Sequence, residues 1–176
     1  MTEGRPLSRV ARVDALPHEG QTVTIEATPA EREALASFFK LPAIAILTAT
    51  LRVEPWGREG ARVTGAVRGE LTQTCVVSLE PFPATVDEAV DVRFAPEAAV
   101  DSGLPIKETV LLADEDEPDP LIDGKIDLGA LAQEFFALGL DPYPRKPGVA
   151  FEQGAESAPA DSPFSVLAER TKPGSN

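Results

Sequence analysis

Thiols and imidazoles are nearly absent from this chain. Its 176 residues include one cysteine, Cys75, and one histidine, His18. A single thiol cannot close a disulfide within the chain. One thiol and one remote imidazole also fall short of a structural zinc site, which takes about four ligands. A cysteine nucleophile needs a neighbouring base, and the only imidazole sits in the turn His18-Glu19-Gly20, far away in sequence. On composition alone Cys75 reads as a small apolar residue at a strand end. No glycine spacing matches a dinucleotide or triphosphate loop, and no Gly-x-Ser-x-Gly elbow occurs, so no cofactor is expected. Aromatic residues make up 6% of the chain and are mostly Phe, a poor set for stacking single-stranded nucleic acid.

Long apolar runs are missing too. The longest, Leu41 to Leu47, contains Pro42 and is far shorter than the roughly 20 residues needed to cross a bilayer. Met1-Thr-Glu-Gly-Arg-Pro6 has no apolar leader region. With a single cysteine, these features lead us to expect a soluble cytoplasmic protein without a membrane partner. Basic residues are outnumbered, 16 against 29 acidic, for a net charge of −13. Affinity for bare RNA or anionic lipid rests on Lys and Arg, so this balance disfavours both and favours basic protein partners.

Prolines (17) and glycines (13) are plentiful and predict long irregular segments, while the 43% apolar content suffices for one core. We expect a single domain over residues 1–150 and a flexible linker with a short docking helix over 151–176. Short strands are predicted near Leu7–Asp14 and around Val23 and Ile25. Thr28-Pro29-Ala30-Glu31 marks a helix start with a capping box and proline at the first turn, running to Phe39 with Leu35, Phe38 and Phe39 as its core stripe. Three long alternating strands follow. Ala45, Leu47, Ala49, Leu51 and Val53 share the first inner face. Val63, Val67, Leu71 and Cys75 share the second, with Gly65 and Gly69 in phase as sites of a bulge or of close helix packing. Val86, Val90, Val92 and Phe94 mark the third. Residues 95–125 read as a mobile acidic loop, since Glu108 to Asp127 holds eight acids and one lysine. Asp127 caps a helix from Leu128 to Leu138, stopped by Gly139 and Pro142. The fold class is α+β: an antiparallel meander, open or curled toward a barrel, packed with two helices.

Glu134 lies beside Phe135 and Phe136 and is either a buried functional carboxylate or the wet side of its helix. Arg145 and Lys146 form a basic pair next to Tyr143, weak as an RNA site on its own. An enzymatic alternative would draw on Glu134, Asp127 or Cys75. Phe164, Val166 and Leu167 would dock on the domain or on a partner.

Three landmarks, in order, resemble the YceD family of large ribosomal RNA subunit accumulation proteins. The first is Thr74-Cys75-Val-Val-Ser78-Leu79-Glu80-Pro81-Phe82, similar to that family's turn between two long strands. The second is Ile126-Asp127-Leu128 through Glu134 to Leu138, followed by Pro142 and Pro144. The third is Ser162-Pro163-Phe164-Ser-Val-Leu167. The resemblance covers most of the chain from about residue 22. Ser78 departs from it, standing where many members carry a second cysteine. The resemblance implies a non-enzymatic role in large-subunit rRNA accumulation and ribosome assembly. With the charge, it points to a basic ribosomal protein or assembly factor as partner, with ribosomal RNA contacted indirectly. Its motif residues, as candidate contact residues, are Cys75, Leu79, Pro81, Asp127, Glu134, Pro142, Arg145, Lys146, Phe164 and Leu167.

Overall fold

A computed structural model describes residues 6–57, 59–96 and 118–150. Contacts divide the chain into two units, Met1–Lys146 and Pro147–Asn176, and every helix and strand among the described residues belongs to the first. The acidic run Asp114 to Glu117 and the tail bearing Phe164 and Leu167 lie outside the described residues.

The elements run β1 (Val10–Arg12), a 3-10 turn at Val13–Ala15, β2 (Gln21–Glu26), α1 (Pro29–Phe39), β3 (Ala43–Trp56), β4 (Gly60–Thr74), β5 (Pro81–Pro96), β6 (Asp119–Leu121), β7 (Lys125–Asp127) and α2 (Leu128–Leu138). The main sheet has the order β2-β3-β4-β5-β6, and β1 pairs with β7 separately. Every pairing is antiparallel except β5 with β6, which run parallel through Phe94–Pro96 and Asp119–Leu121. The α+β meander is therefore present, but the sheet is open. Among the described residues five strands, one of them three residues long, leave β2 and β6 as edges, so the barrel expectation is corrected.

The sequence explains α1 closely. The Thr28 hydroxyl accepts from the Glu31 N–H while the Glu31 carboxylate accepts from the Thr28 N–H, with Pro29 in the first turn. Leu35 and Ala36 are buried and Phe39 half-buried, whereas Phe38, placed in the core stripe from sequence, is 62% exposed. Four residues of helix turn Phe39 back over Leu35; three leave Phe38 at the margin, where it meets Phe39 edge-on at 5.1 Å between centroids. Leu138 is likewise exposed at the far end of α2.

The inner sheet face shows one phase error. The β3–β4 register shifts between Ile44 and Ile46. This bulge puts Ile44 inside and leaves Ala45 exposed, although strict alternation from Leu47 placed Ala45 inside. Leu47, Leu51, Val53, Val63, Val67, Val86 and Val90 then form the floor on which the helices rest. Phe136 of α2 is fully buried, 5.8 Å from Phe39 between ring centroids. It fits because Gly69 has no side chain: a Cβ there would lie 2.6 Å from the Phe136 ring. The opposite sheet face bears cross-strand ion pairs, Arg62–Asp91 and Arg68–Asp87.

Irregular structure was expected from residue 95 to 125, yet both ends of that stretch are ordered strand. Ile122 and Lys125 bridge around Asp123 and Gly124, whose φ values are 53° and 65°. Positive φ at both central positions is the geometry for which Asp-Gly is suited.

Candidate functional site

Six of the sequence-derived contact residues meet at one end of the β4–β5 hairpin. Cys75 follows β4, and the loop Val76–Leu79 reverses the chain into β5. Two backbone bonds close it: the Cys75 N–H donates to the Glu80 carbonyl and the Leu79 N–H to the Cys75 carbonyl, both at 2.9 Å. The segment Asp141–Lys146 lies alongside. The Val76 N–H donates to the Pro144 carbonyl at 2.9 Å, the Gln73 amide to the Asp141 carbonyl at 3.0 Å, and Lys146 Nζ reaches Glu80 Oε2 at 2.7 Å. Cys75, Leu79, Pro81, Pro142, Arg145 and Lys146 thus belong to one knuckle.

The Cys75 sulfur is the centre of that knuckle. It has no solvent exposure, although its cover is thin, since Val76 and Leu79 around it are open to water. The N–H groups of Val77 and Ser78 donate to Sγ, each at 3.4 Å. The Ser78 hydroxyl, the Ser78 N–H and the Lys146 N–H lower the thiol from its ordinary 9.0 to about 6, against the opposing effect of burial. Ser78, at the position where the resemblance expects a second cysteine, thus serves the first one as a hydrogen-bond donor. Cys75 is buried, as composition suggested, and its sulfur also accepts two backbone N–H groups of the loop.

Leu79 is the knuckle's strained residue. Its φ is 60°, left-handed backbone that favours glycine or asparagine, yet its side chain is 76% exposed. Val76 and Tyr143 are exposed beside it. The leucine is thus held in a costly conformation without the return of burial. Tyr143 escaped the sequence reading, where it served only as the aromatic beside Arg145.

Asp127 and Glu134 lie elsewhere. Asp127 joins β7 to α2. Its carboxylate accepts from the N–H groups of Gly129, Ala130 and Arg9 at 3.0, 3.1 and 2.7 Å, and from the Ser8 hydroxyl at 2.6 Å. Burial opposes its charge, but these donors outweigh burial and hold the carboxyl below its ordinary range. Glu134 is on the exposed side of α2 and is not a buried carboxylate. Both border a groove of about 580 Å³ at the β6–β7 corner, with Val10, Phe94, Ile122 and Leu131 among its apolar lining and Asp119, Asp123 and Lys125 among its charged lining. The Asp123-Gly124 pair between Ile122 and Lys125 was the available sequence signal for this corner.

Among the described residues no group of three or more His, Cys, Asp or Glu side chains is placed to hold a metal ion, and no helix is long and apolar enough to cross a membrane. The cations Arg9, Arg12, Arg52, Arg62, Arg68 and Lys146 are ion-paired with carboxylates.

The family model of the large ribosomal RNA subunit accumulation protein YceD matches residues 63–173, a stretch that takes in the knuckle, the β6–β7 corner and α2. The chain belongs to the YceD family. No curated protein and no solved structure matches it. The family name carries a role in accumulation of the large ribosomal RNA subunit.

Proposed function

We propose that this protein is a non-catalytic binding factor in large-subunit rRNA accumulation and ribosome assembly, acting in the cytoplasm on a basic ribosomal protein or assembly factor, with ribosomal RNA contacted only through that partner. The observation that carries the reading is the state of its cations. The chain has a net charge of −13, and Arg52, Arg62 and Arg68 of the sheet and Lys146 of the knuckle are held by carboxylates. Cations engaged in this way release few counterions from a phosphate backbone, whereas the net negative field steers a basic protein. Lys146, half of the one basic pair beside an aromatic, is tied to Glu80.

The test is crosslinking in cells followed by purification at low and at high salt. Salt-sensitive recovery of large-subunit proteins, together with loss of large-subunit rRNA on depletion of the chain, supports the reading. Recovery of the chain alone, with a thermal shift caused by a small molecule, supports the enzymatic alternative through Glu134, Asp127 or Cys75 and overturns it. The double variant Arg145→Glu, Lys146→Glu should leave rRNA co-recovery unchanged; its abolition would establish direct RNA contact.

A further inference from the structure

We infer that the groove at the β6–β7 corner is where the protein receives its partner, and that it takes a short basic segment carrying apolar side chains. The inference rests on the binding reading above and names the surface that does the binding. Two aliphatic side chains stand open at the groove: Val10 is 60% exposed and Ile122 is 74% exposed. Phe94 and Leu131 continue the apolar surface inward, Leu131 as part of the core. An exposed apolar surface of this kind, rimmed by charge, marks an interaction site.

Charge selects the occupant. Four carboxylates, Asp119, Asp123, Asp127 and Glu134, border the groove against one ammonium, Lys125. Asp119 and Asp123 form no ion pair among the described residues. A second copy of this chain, itself at −13, and a nucleic acid both carry the wrong sign. A partner segment that presents Lys or Arg to the rim and Leu-like side chains to Val10 and Ile122 satisfies both features at once.

The corner is also held in shape. The Asp123-Gly124 turn is closed by the Lys125 N–H on the Ile122 carbonyl at 3.0 Å and tied to the β1 side by the Val13 N–H on the Gly124 carbonyl at 3.0 Å. Ile122 is therefore presented on a closed turn, and binding need not order it.

The experiment uses the full chain and three fluorescein-labelled 14-residue peptides: one of Leu and Lys in an amphipathic pattern, one of Ser and Lys with the same charge, and one of Leu and Glu. Fluorescence anisotropy should show the Leu/Lys peptide binding, with affinity falling as salt rises. The Val10→Ser, Ile122→Ser pair and the Asp119→Asn, Asp123→Asn pair should each weaken it at least tenfold, while Phe38→Ser on α1, an exposed apolar residue away from the groove lining, leaves it unchanged. Circular dichroism checks that each variant is folded. Equal binding by both groove pairs and the parent, equal binding of the Ser/Lys peptide, or no binding to the parent overturns the inference. So does sedimentation showing a dimer that the Leu/Lys peptide fails to dissociate. If large-subunit proteins crosslink equally to the parent and to both groove pairs, the function stands and this surface is wrong. If none crosslinks to the parent, the function itself fails, whatever the peptides do.

Discussion

At one end of the β4–β5 hairpin the chain turns around a sulfur; at the other, past Phe94, it turns around an Asp-Gly pair beside an acid-rimmed apolar groove. The two ends present exposed aliphatic side chains by different means. At the knuckle, Leu79 is held outward by a strained backbone conformation over a thiol that collects N–H donors. At the corner, Ile122 is held outward by a turn whose residues suit their conformation, next to Asp127, which anchors four donors. Strain on one side and fitted turn chemistry on the other teach that exposure of an aliphatic side chain has no single structural cause. They also predict that the two ends respond oppositely to substitution.

The largest expected effect is at the corner. Asp127→Ala removes the helix cap and leaves the Arg9, Gly129 and Ala130 N–H groups without their acceptor, costing about 3 kcal/mol in urea unfolding. A loss under about 0.5 kcal/mol would show that α2 is held by packing alone. The knuckle should be the more pH-sensitive end. Because the folded Cys75 thiol titrates near 6 and the unfolded one near 9.0, its ionisation adds stability that is complete above pH 9 and is lost as pH falls toward 6. The melting temperature of the parent should therefore exceed that of Cys75→Ala by a margin that grows from pH 6 to pH 9. A margin independent of pH would mean that the thiol stays protonated.

Smaller and opposite in sign is Leu79→Gly, which relieves left-handed strain and should stabilise by about 0.5 kcal/mol after the entropy gained by the unfolded chain. If Leu79 is a contact residue, the same change lowers large-subunit rRNA accumulation in cells, separating stability from function at one position. On the acid side, Glu31 is held down to about 2, first by its ion pair with Arg9 and, against burial, also by Thr28. Its contribution is present above about 4.5 and lost as pH falls toward 2, so Glu31→Gln should flatten the acid limb of the stability profile. The least change is expected from Lys146→Ala, since exposed ion pairs contribute little.

The elements with local causes were legible in the sequence. Thr28, Pro29 and Glu31 announced α1, Asp127 announced α2, and alternation announced the three long strands. Gly69 was foreseen as a place of close packing because it shares a phase with Val67 and Leu71. The bulge at Ala45 was not legible, because it depends on which residues of β4 stand opposite. Strands β6 and β7 were missed because the acidic count from Glu108 to Asp127 outweighed the Asp123-Gly124 signal inside it. Within the candidate site, the motif residues from Cys75 to Pro81 could be named in advance. That Pro144 and Lys146 return to close the knuckle is a non-local fact, and left-handed backbone at a leucine is one that no propensity suggests.

The β4–β5 ladder has a further consequence. From Ala61↔Phe94 to Thr74↔Pro81 the register advances without a shift, and at about 3.3 Å per residue this ribbon spans roughly 40 Å. Antiparallel pairing resists stretching, because lengthening it means breaking backbone bonds in turn. The ribbon therefore behaves as a calliper with a set opening: whatever rests against its two tips is kept at one distance.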